Sequence, residues 1–600
     1  MQQVKKLKDI IECNARKRGN IVAIKYKNKN VEIEKTYMQL QNDVMVLSHS
    51  INGMRIGIMG ENCYDWLLIY YATIISNGII VPMAPDTSPE RAIEMAKKLN
   101  LDAIAAGNNC IKKIEDYISK KNININIIRM NYGTLLNLKC AFENVEKIYG
   151  KGKENKNTCA IYFTSGTTGE SKGVMLGNEQ LISNCIAIQD ALQFESSRIS
   201  LNVLPFHHGF ASMCDLIYTI YIGGTLCILE DLRLLNEEMD RYKPQNIFVV
   251  PLIAENLLKR IKYEEKDASI NILKLKDYLK NVICGGAKIR KGMVEDYQST
   301  GINLIRGYGI TECSPVVAVM RKNKKYDAET VGTPLICNKI MIKEGEVCVK
   351  GSNVMLGYYA DSKSTLLAMK DDWFRTGDYG RVNKEGDLYI VGRKKNLIIL
   401  DNGENIVPEE IEEKIDIKNV ISECLVFEER RNDQRSQISV VIVPQIKDKS
   451  NMELNVHNIE REIIDDYNKS AFGKNIKNIY YSDKPFARTS TQKVKREQTL
   501  NYIIKDIVEK EVKESIQSVL YEKINLRNEM KFIEDLGMDS YEIVRLIGEI
   551  EKRLAIVLCP EDIYRIRDIQ HFIDYIFIYH VQVDACTVTW KKEKTDGVVL

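Results

Sequence analysis

The stretch Thr158–Leu176, TCAIYFTSGTTGESKGVML, decides how the rest of the chain is read. Cys159–Phe163 is a short apolar run of strand composition. Thr164 to Gly173 then crowds glycines, hydroxyl residues and one lysine into a single loop. Beyond it, Leu181, Ile182, Cys185 and Ile186 fall at helical spacing behind Asn178, which reads as an N-cap. Such a loop suits a polyphosphate: glycine lets backbone N–H groups approach closely, Thr and Ser donate hydrogen bonds, and Lys supplies positive charge. It is not the common nucleotide P-loop, because Ser171 stands where G-x-x-x-x-G-K, counted from Gly166, requires glycine. A flexible surface turn is the plainer reading of a bare glycine–serine patch. The rest of the chain has to supply the other parts of a nucleotide site.

Six hundred residues are too many for one ordinary core, so several domains are expected. A hydrophobic share of 44% with 28% charged residues reads as globular and soluble. A net charge of +3 over this length leaves no basic footprint, which argues against nucleic acid as a partner. The fifteen cysteines form no C-x-x-C pair and sit mostly in apolar runs, the pattern of reduced thiols in a cytoplasmic protein. The six histidines include no H-E-x-x-H, so a histidine-held metal has no support. The start, MQQVKKLKDIIE, lacks the apolar core of a secretory signal. Trp66–Ala84 is uncharged and nearly long enough to span a bilayer. Ser76-Asn77-Gly78 and Pro82 interrupt it, and it reads as a buried helix, a turn and a buried strand rather than an integral membrane segment.

The alternation of strand-like and helical segments over the first 150 residues, such as Met54–Met59 and Ser88–Leu99, predicts an α/β architecture. Further along, Ile283–Lys288 (ICGGAK) puts Gly285 and Gly286 at a strand end, where a flat ring can approach the backbone. Arg306–Pro315, RGYGITECSP, follows. Together with TSGTTGESKG, this segment resembles the adenylate-forming (AMP-binding) superfamily of acyl-CoA synthetases, luciferases and peptide-synthetase adenylation domains. The resemblance implies that Thr164, Ser165, Gly166, Thr167, Thr168, Gly169 and Lys172 hold the phosphates of ATP. It implies that Tyr308, with Gly309 beside it, covers the adenine, and that Gly285, Gly286 and Ala287 form the other face. Thr311 and Glu312 then face the α-phosphate and a Mg²⁺, an ion that takes one or two carboxylates and completes its shell with phosphate and water.

Val331–Pro334 and Val354–Tyr359 (VMLGYY) also look like this superfamily. Asp378, closing WFRTGD, is expected to accept both ribose hydroxyls, Arg393 to contact ribose or phosphate, and Lys395 to be the hinge into a smaller domain. In LPFHHGFAS, His207 occupies the place where peptide synthetases put an ammonium-holding aspartate. This favours an acid without an α-amino group, with His207 and His208 along the acyl channel and Asp215 structural. Similarity to bacterial long-chain acyl-CoA synthetases and acyl-carrier ligases makes Pro251, Leu252 and Ile253 candidates for the tunnel wall. In Ala487–Glu497 (ARTSTQKVKRE) the adenylation lysine is assigned to Lys493, with Lys495 as the alternative, although Gln492 replaces the family's glycine.

After Asn501 the chain changes to helical segments separated by polar loops. In FIEDLGMDSYEIVRLIGEIEKRL, Asp539 and Glu542 make a capping box with Met538 and Ile543 as its staple, which puts Ser540 at the first helical position, exposed, on the positive end of the helix dipole. Val544, Ile547, Ile550 and Leu554 are the expected buried stripe. G-x-D-S before such a helix resembles the attachment site of acyl and peptidyl carrier domains, which implies 4′-phosphopantetheine on Ser540 and a phosphopantetheinyl transferase as partner. The expected layout is a large α/β adenylating domain (1–394), a small α+β C-terminal subdomain (395–500), an all-α four-helix carrier (501–582, with helices at Pro560 and Asp568–Ile578) and a tail of unknown role (583–600).

The expected activity is ATP-dependent conversion of a carboxylic acid, fatty or otherwise non-amino, to acyl-adenylate and transfer to the thiol of its own carrier. A downstream acyl-transfer or reductase enzyme would take the product. The alternatives are a ligase that uses free CoA and a non-catalytic recruitment module.

Overall fold

The computed structural model describes residues 4–28, 31–130, 135–145, 157–164, 172–196, 198–266, 274–289, 292–327, 329–400, 405–415, 421–431, 436–445, 464–469, 476–489, 494–559, 566 and 568–592. The chain forms two compact units, one of residues 1–376 and 380–390, the other of 377–379 and 391–600.

The first unit is built on two large sheets. In one, the strands Ile79–Met83, Arg55–Met59, Ala103–Ala106 and Asn126–Arg129 run parallel, and Thr158–Thr164 continues the parallel set beside Ile79–Met83. The other has nine strands, from Thr333–Pro334 at one edge to Val31–Thr36 at the opposite edge. Its middle strands Ile199–Asn202, Asn246–Val249, Asn281–Cys284 and Asn303–Gly309 are parallel neighbours. Parallel strands buried on both faces read as apolar runs, which is why IFVV and NVIC have no polar alternation.

The uncharged segment near residue 70 is the buried helix Tyr64–Ile75, a turn with Asn77 in the left-handed region, and the buried strand Ile79–Met83. Trp66, Tyr70 and Tyr71 of this helix are fully enclosed in the core. Among the described residues no helix is long and apolar enough to cross a membrane.

Two local readings change around the opening stretch. Lys172–Gly177 is a second strand, so the glycine-rich segment joins an antiparallel pair in which Thr164 faces Lys172. The helix that follows begins at Asn178 itself, with Gly177 at the cap position. The Asn178 carboxamide accepts instead from the Leu7 amide at 3.1 Å, and Gln180 covers the Gly177 N–H at 3.1 Å.

The second unit differs more from its expected layout. Its five-stranded sheet runs Ile476–Tyr481, Gln437–Pro444, Ile421–Arg431, Thr587–Trp590, Val581–Val583. The last two strands come from the segment expected to be carrier end and tail. VQVDACTVTW alternates apolar and polar residues and is rich in β-branched side chains, the signature of a hairpin overlooked beside the charged KKEKTDG. The helix Arg496–Leu520 runs unbroken through the expected boundary at residue 500. The carrier's other described helices are Ser540–Leu554 and Ile569–His580, while the helix expected at Pro560 lies outside the described residues. One apolar core joins subdomain residues Leu425, Phe427 and Phe486 to carrier residues Leu546, Ile550 and Ile573 and to Trp590.

On Ser540–Leu554 the buried residues are Leu546, Ile550 and Leu554, and Val544 is 57% exposed. Four residues after Ser540, Val544 shares its outward face, which corrects the expected stripe.

Candidate functional site

Within the first unit the expected nucleotide residues gather at the ends of sheet strands. Ser165, Gly166, Thr167, Thr168 and Gly169 lie outside the described residues, but both ends of their loop are placed. Thr164 and Lys172 are cross-strand partners, and Phe163 pairs with Gly173. Lys172 Nζ stands 5.1 Å from the centre of the Tyr358 ring.

Gly285 and Gly286 leave the C-terminal end of the strand Asn281–Cys284, whose parallel neighbour Asn303–Gly309 carries Tyr308. The strand ends of an open parallel sheet are where α/β proteins collect ligands. Gly286 has φ +87°, a backbone that a side chain would strain. Gly309 is held against Pro315, whose carbonyl oxygen lies only 2.3 Å from where a Cβ would stand. Ala287 continues the same turn.

Thr311 and Glu312 sit on a short 3-10 turn, Thr311–Cys313. Asn353 clamps this turn. Its side chain donates to the Cys313 carbonyl at 2.9 Å, and its own carbonyl accepts from the Ser314 hydroxyl at 2.9 Å. The Met355 N–H donates to the Glu312 carbonyl at 2.8 Å. At the side chain, the Tyr358 hydroxyl donates to Glu312 Oε1 at 2.9 Å. Burial, and next the negative charge of Glu312, hold the Tyr358 phenol well above its ordinary pKa, so it is a neutral donor. As a half-buried oxygen ligand Glu312 suits Mg²⁺, with phosphate and water completing the shell.

A small hollow with room for about one water lies beside this turn, lined by Tyr162, Leu181, Gly209, Met213, Thr311 and Pro315 among others. The His207 and His208 rings lie 4.2 Å apart, tilted by 41°, just before Gly209. His207 is buried, and among the described residues neither of its ring nitrogens has a hydrogen-bond partner. Burial, with His208 adding to it, pushes its pKa down to about 3, so the ring is neutral at physiological pH. Asp215, inside the π-helix Ser212–Tyr218, is fully buried and accepts from Asn202 at 2.8 Å. Burial raises its pKa well above the carboxylate range. Pro251 and Leu252 open the helix Pro251–Lys266 without lining the cavity, Leu252 being 41% exposed and Ile253 buried in a separate core.

In the second unit, Asp378 is buried and Arg393 Nε lies 3.3 Å from its Oδ1. Lys395 is on the short turn Lys394–Asn396. Its surroundings lower its pKa, chiefly by desolvation and then by repulsion from Arg393, with Cys586 and Asp378 pulling the other way. Thus Cys586, from the segment expected to be a tail, belongs to the surroundings of the expected hinge. Lys493 lies outside the described residues. Lys495 directly precedes the long helix, its N–H bonded to the Ala487 carbonyl at 2.8 Å, and Arg488 pairs with Val494 across the intervening loop.

Ser540 is the first residue of its helix and exposed. Asp539 Oδ1 accepts from the Glu542 N–H at 2.8 Å, and Glu542 Oε2 accepts from the Asp539 N–H at 3.0 Å. Tyr541 beside it is 71% exposed. Two features are not legible in the sequence: the side-chain partners of Tyr358, although GYY looks like the superfamily, and the pairing of residues 581–590 with the subdomain sheet.

Three family models match the chain: AMP-binding enzyme over residues 11–359, AMP-binding enzyme C-terminal domain over 395–511, and phosphopantetheine attachment site over 510–576. A long-chain-fatty-acid–CoA ligase of Yersinia pestis is 26% identical over 422 residues, covering 62% of this chain and 74% of that protein. Long-chain-fatty-acid–CoA ligase 1 of Cavia porcellus is 26% identical over 427 residues, covering 60% and 61%. Such matches span from about half to four fifths of the curated relatives' own length. Among solved structures, McyG A-PCP complexed with phenylalanyl-adenylate aligns at TM-score 0.66 and 17% identity, over 96% of this chain and 98% of that one. ATP-bound MatB from Rhodopseudomonas palustris aligns at TM-score 0.69 and 20% identity, over 82% and 99%. These likenesses establish the shared fold.

Proposed function

Because the chain belongs to the AMP-binding enzyme family, with that family's C-terminal domain and a phosphopantetheine attachment domain behind it, we propose that it activates a carboxylic acid with ATP and loads it onto its own carrier. The observation that carries this reading is the joining of the two ends of the phosphate site: Lys172, next to the glycine-rich loop, and Glu312 meet on opposite parts of one tyrosine.

In this reading a substrate carboxylate oxygen attacks the α-phosphorus of ATP, the bond to the bridging oxygen breaks, and pyrophosphate leaves with its electron pair. Little covalent work falls to the protein, so positioning and charge stabilisation dominate. Lys172 and the loop Thr164–Gly169 hold the pyrophosphate end, and Thr311 donates toward the α-phosphate. Tyr308, Gly309 and the turn Gly285–Ala287 enclose the adenine. Asp378 accepts from the ribose hydroxyls, with Arg393 beside it. Lys493 neutralises charge between carboxylate and phosphate, and Lys395 is the hinge. Mg²⁺, when held by Glu312, supplies further charge neutralisation on the phosphates. Phosphopantetheine, when attached to Ser540, supplies the accepting thiol.

The neutral His207, two residues before Gly209 of that hollow, supports an acid with no α-ammonium group, since the described residues lining the hollow include no acidic side chain. A fatty acid is the substrate class we favour, in keeping with the curated relatives. The fifteen cysteines, most of them buried, are in keeping with a cytoplasmic setting. A phosphopantetheinyl transferase is the first partner required, and an acyl-transfer or reductase enzyme that consumes the thioester is the second. The relatives' names favour one further reading, in which free CoA is the acceptor.

The test is intact-mass analysis of the phosphopantetheinylated chain given ATP and acids of graded length. An ATP-dependent acyl adduct is expected on wild type and complete loss of it in Ser540→Ala. Acyl-CoA release at full rate by Ser540→Ala would favour the CoA reading, and an adduct that persists in that variant would sink the carrier assignment.

A further inference from the structure

The segment between Asn353 and Tyr359 ties together two parts of the site that lie far apart in sequence. At its start, Asn353 clamps the turn that carries Glu312, and the Met355 N–H bonds the Glu312 carbonyl. At its end, the short strand Gly357–Tyr358 pairs antiparallel with Lys172–Gly177, the strand that leaves the phosphate loop. The register puts Tyr358 opposite Val174. Side chains alternate along a strand, so Lys172, two residues before Val174, projects on the same face as Tyr358 and is its diagonal neighbour.

That register explains the observed geometry. The Lys172 ammonium stands 5.1 Å from the ring centre, and the hydroxyl at the far end of the same ring donates to Glu312 at 2.9 Å. The ring is 8% exposed and its backbone is pinned: the Tyr358 N–H donates to the Thr365 hydroxyl at 2.9 Å, and the Tyr359 N–H to the Gly173 carbonyl at 2.7 Å. Gly357, at φ +126°, makes the bend that brings the strand into place.

We propose that Tyr358 is a positioning residue for both charges of the phosphate site, orienting the Glu312 carboxylate through its hydroxyl and the Lys172 ammonium through its ring. This rests on the reading that the site binds ATP with a divalent cation. The arrangement answers a specific difficulty. The site requires the lysine for phosphate and the carboxylate for metal, and a direct pair between them would cost it both. The one ring contacts each in its own way: π-face to cation, O–H to anion. A carboxylate offers about four lone-pair positions, so one phenol bond fixes its plane without exhausting it. Partners of this kind behind a metal ligand set affinity by orientation.

The experiment uses the full-length chain and two variants. Tyr358→Phe keeps the ring and removes the hydroxyl, and Tyr358→Leu removes both. Three readings are taken: Mn²⁺ binding by electron paramagnetic resonance in the presence of a non-hydrolysable ATP analogue, affinity for that analogue in EDTA, and melting temperature. Tyr358→Phe is expected to weaken Mn²⁺ binding by about 10- to 100-fold, with metal-free analogue affinity and melting temperature at wild-type values. Tyr358→Leu is expected to weaken Mn²⁺ binding equally and metal-free analogue binding as well. A Phe variant with wild-type Mn²⁺ affinity overturns the proposal, and so does one that loses metal-free binding and melting temperature together, which marks a merely structural ring. A wild-type chain that binds neither the analogue nor Mn²⁺ with it overturns the nucleotide reading itself, a result distinct from both.

Discussion

The hairpin of Thr158–Thr164 and Lys172–Gly177 and the hairpin of Val581–Val583 and Thr587–Trp590 are both antiparallel pairs, but their sequences serve different ends. In the first, the strands disappear into a seven-stranded sheet, with Ala160, Ile161, Tyr162, Val174 and Leu176 buried, and the chemistry proposed for it belongs to the connection. In the second, the connection is a plain turn, closed by the Asp584 N–H on the Thr587 carbonyl at 2.8 Å, and the work is done by the strands. Thr587–Trp590 runs parallel to Glu428–Arg431 and returns the end of the carrier to the subdomain sheet. Trp590 is 1% exposed, donates its indole N–H to Glu429 at 2.9 Å and lies under the Arg431 guanidinium. In the reading proposed above, the first hairpin serves a ligand. The other closes a domain.

The comparison breaks if substitutions in the two hairpins have the same kind of effect. The largest change is expected from Lys172→Ala, which removes a charge aimed at phosphate from a strand held by its neighbours. Acid-dependent ATP–pyrophosphate exchange should fall by about 10²- to 10³-fold in kcat/KM, with the melting temperature unmoved. Trp590→Ala should show the reverse signature. Truncating a buried tryptophan costs roughly 3–5 kcal/mol, and the loss should be local to the second unit. Hydrogen exchange read by mass spectrometry is expected to speed up in Ile569–His580 and Ile421–Arg431, while peptides of the first unit keep their protection. Uniform loss of protection across both units would deny the hairpin its closing role.

What could be read from the sequence follows the same division. Glycines, hydroxyls and a lysine crowded behind an apolar run carry their meaning within a few residues, as does the capping box at Asp539 and Glu542 that puts Ser540 at a helix start. The buried helix near Trp66 was legible for the same reason, because Asn77 and Gly78 mark its end locally. Pairings over long separations were not legible. Nothing near Tyr358 says that its hydroxyl meets Glu312, 46 residues earlier, or that its ring meets Lys172. Nothing near Cys586 says that its neighbours are Arg496 and the expected hinge. The exposed Val544 was misread because a helical stripe can be drawn through several residues, and only the packed partner decides which face turns inward. The strand Lys172–Gly177 was missed because its lysine and two glycines hide a run of only three apolar residues.

The smallest expected effect sharpens the account of the closing hairpin. Glu428 is buried at 2% exposure, and its carboxylate is held on two sides, by Arg430 at 2.8 Å on Oε1 and by the Thr587 hydroxyl at 3.1 Å on Oε2. Thr587→Val keeps the shape and β-branching of the side chain and deletes only the hydroxyl. The carboxylate keeps its arginine, so the cost is that of one hydrogen bond to a charged group, about 1.5–3 kcal/mol at full burial and toward the lower end here, where Thr587 is only half-buried. If the register Glu428↔Thr587 is what docks the chain end, exchange protection should fall first at the Glu428 N–H, which donates to the Cys586 carbonyl at 2.7 Å, and only weakly in the helix Ile569–His580. Equal loss at both sites would mean that the hairpin and the carrier helix open together, and that the carrier and the subdomain sheet behave as a single cooperative element.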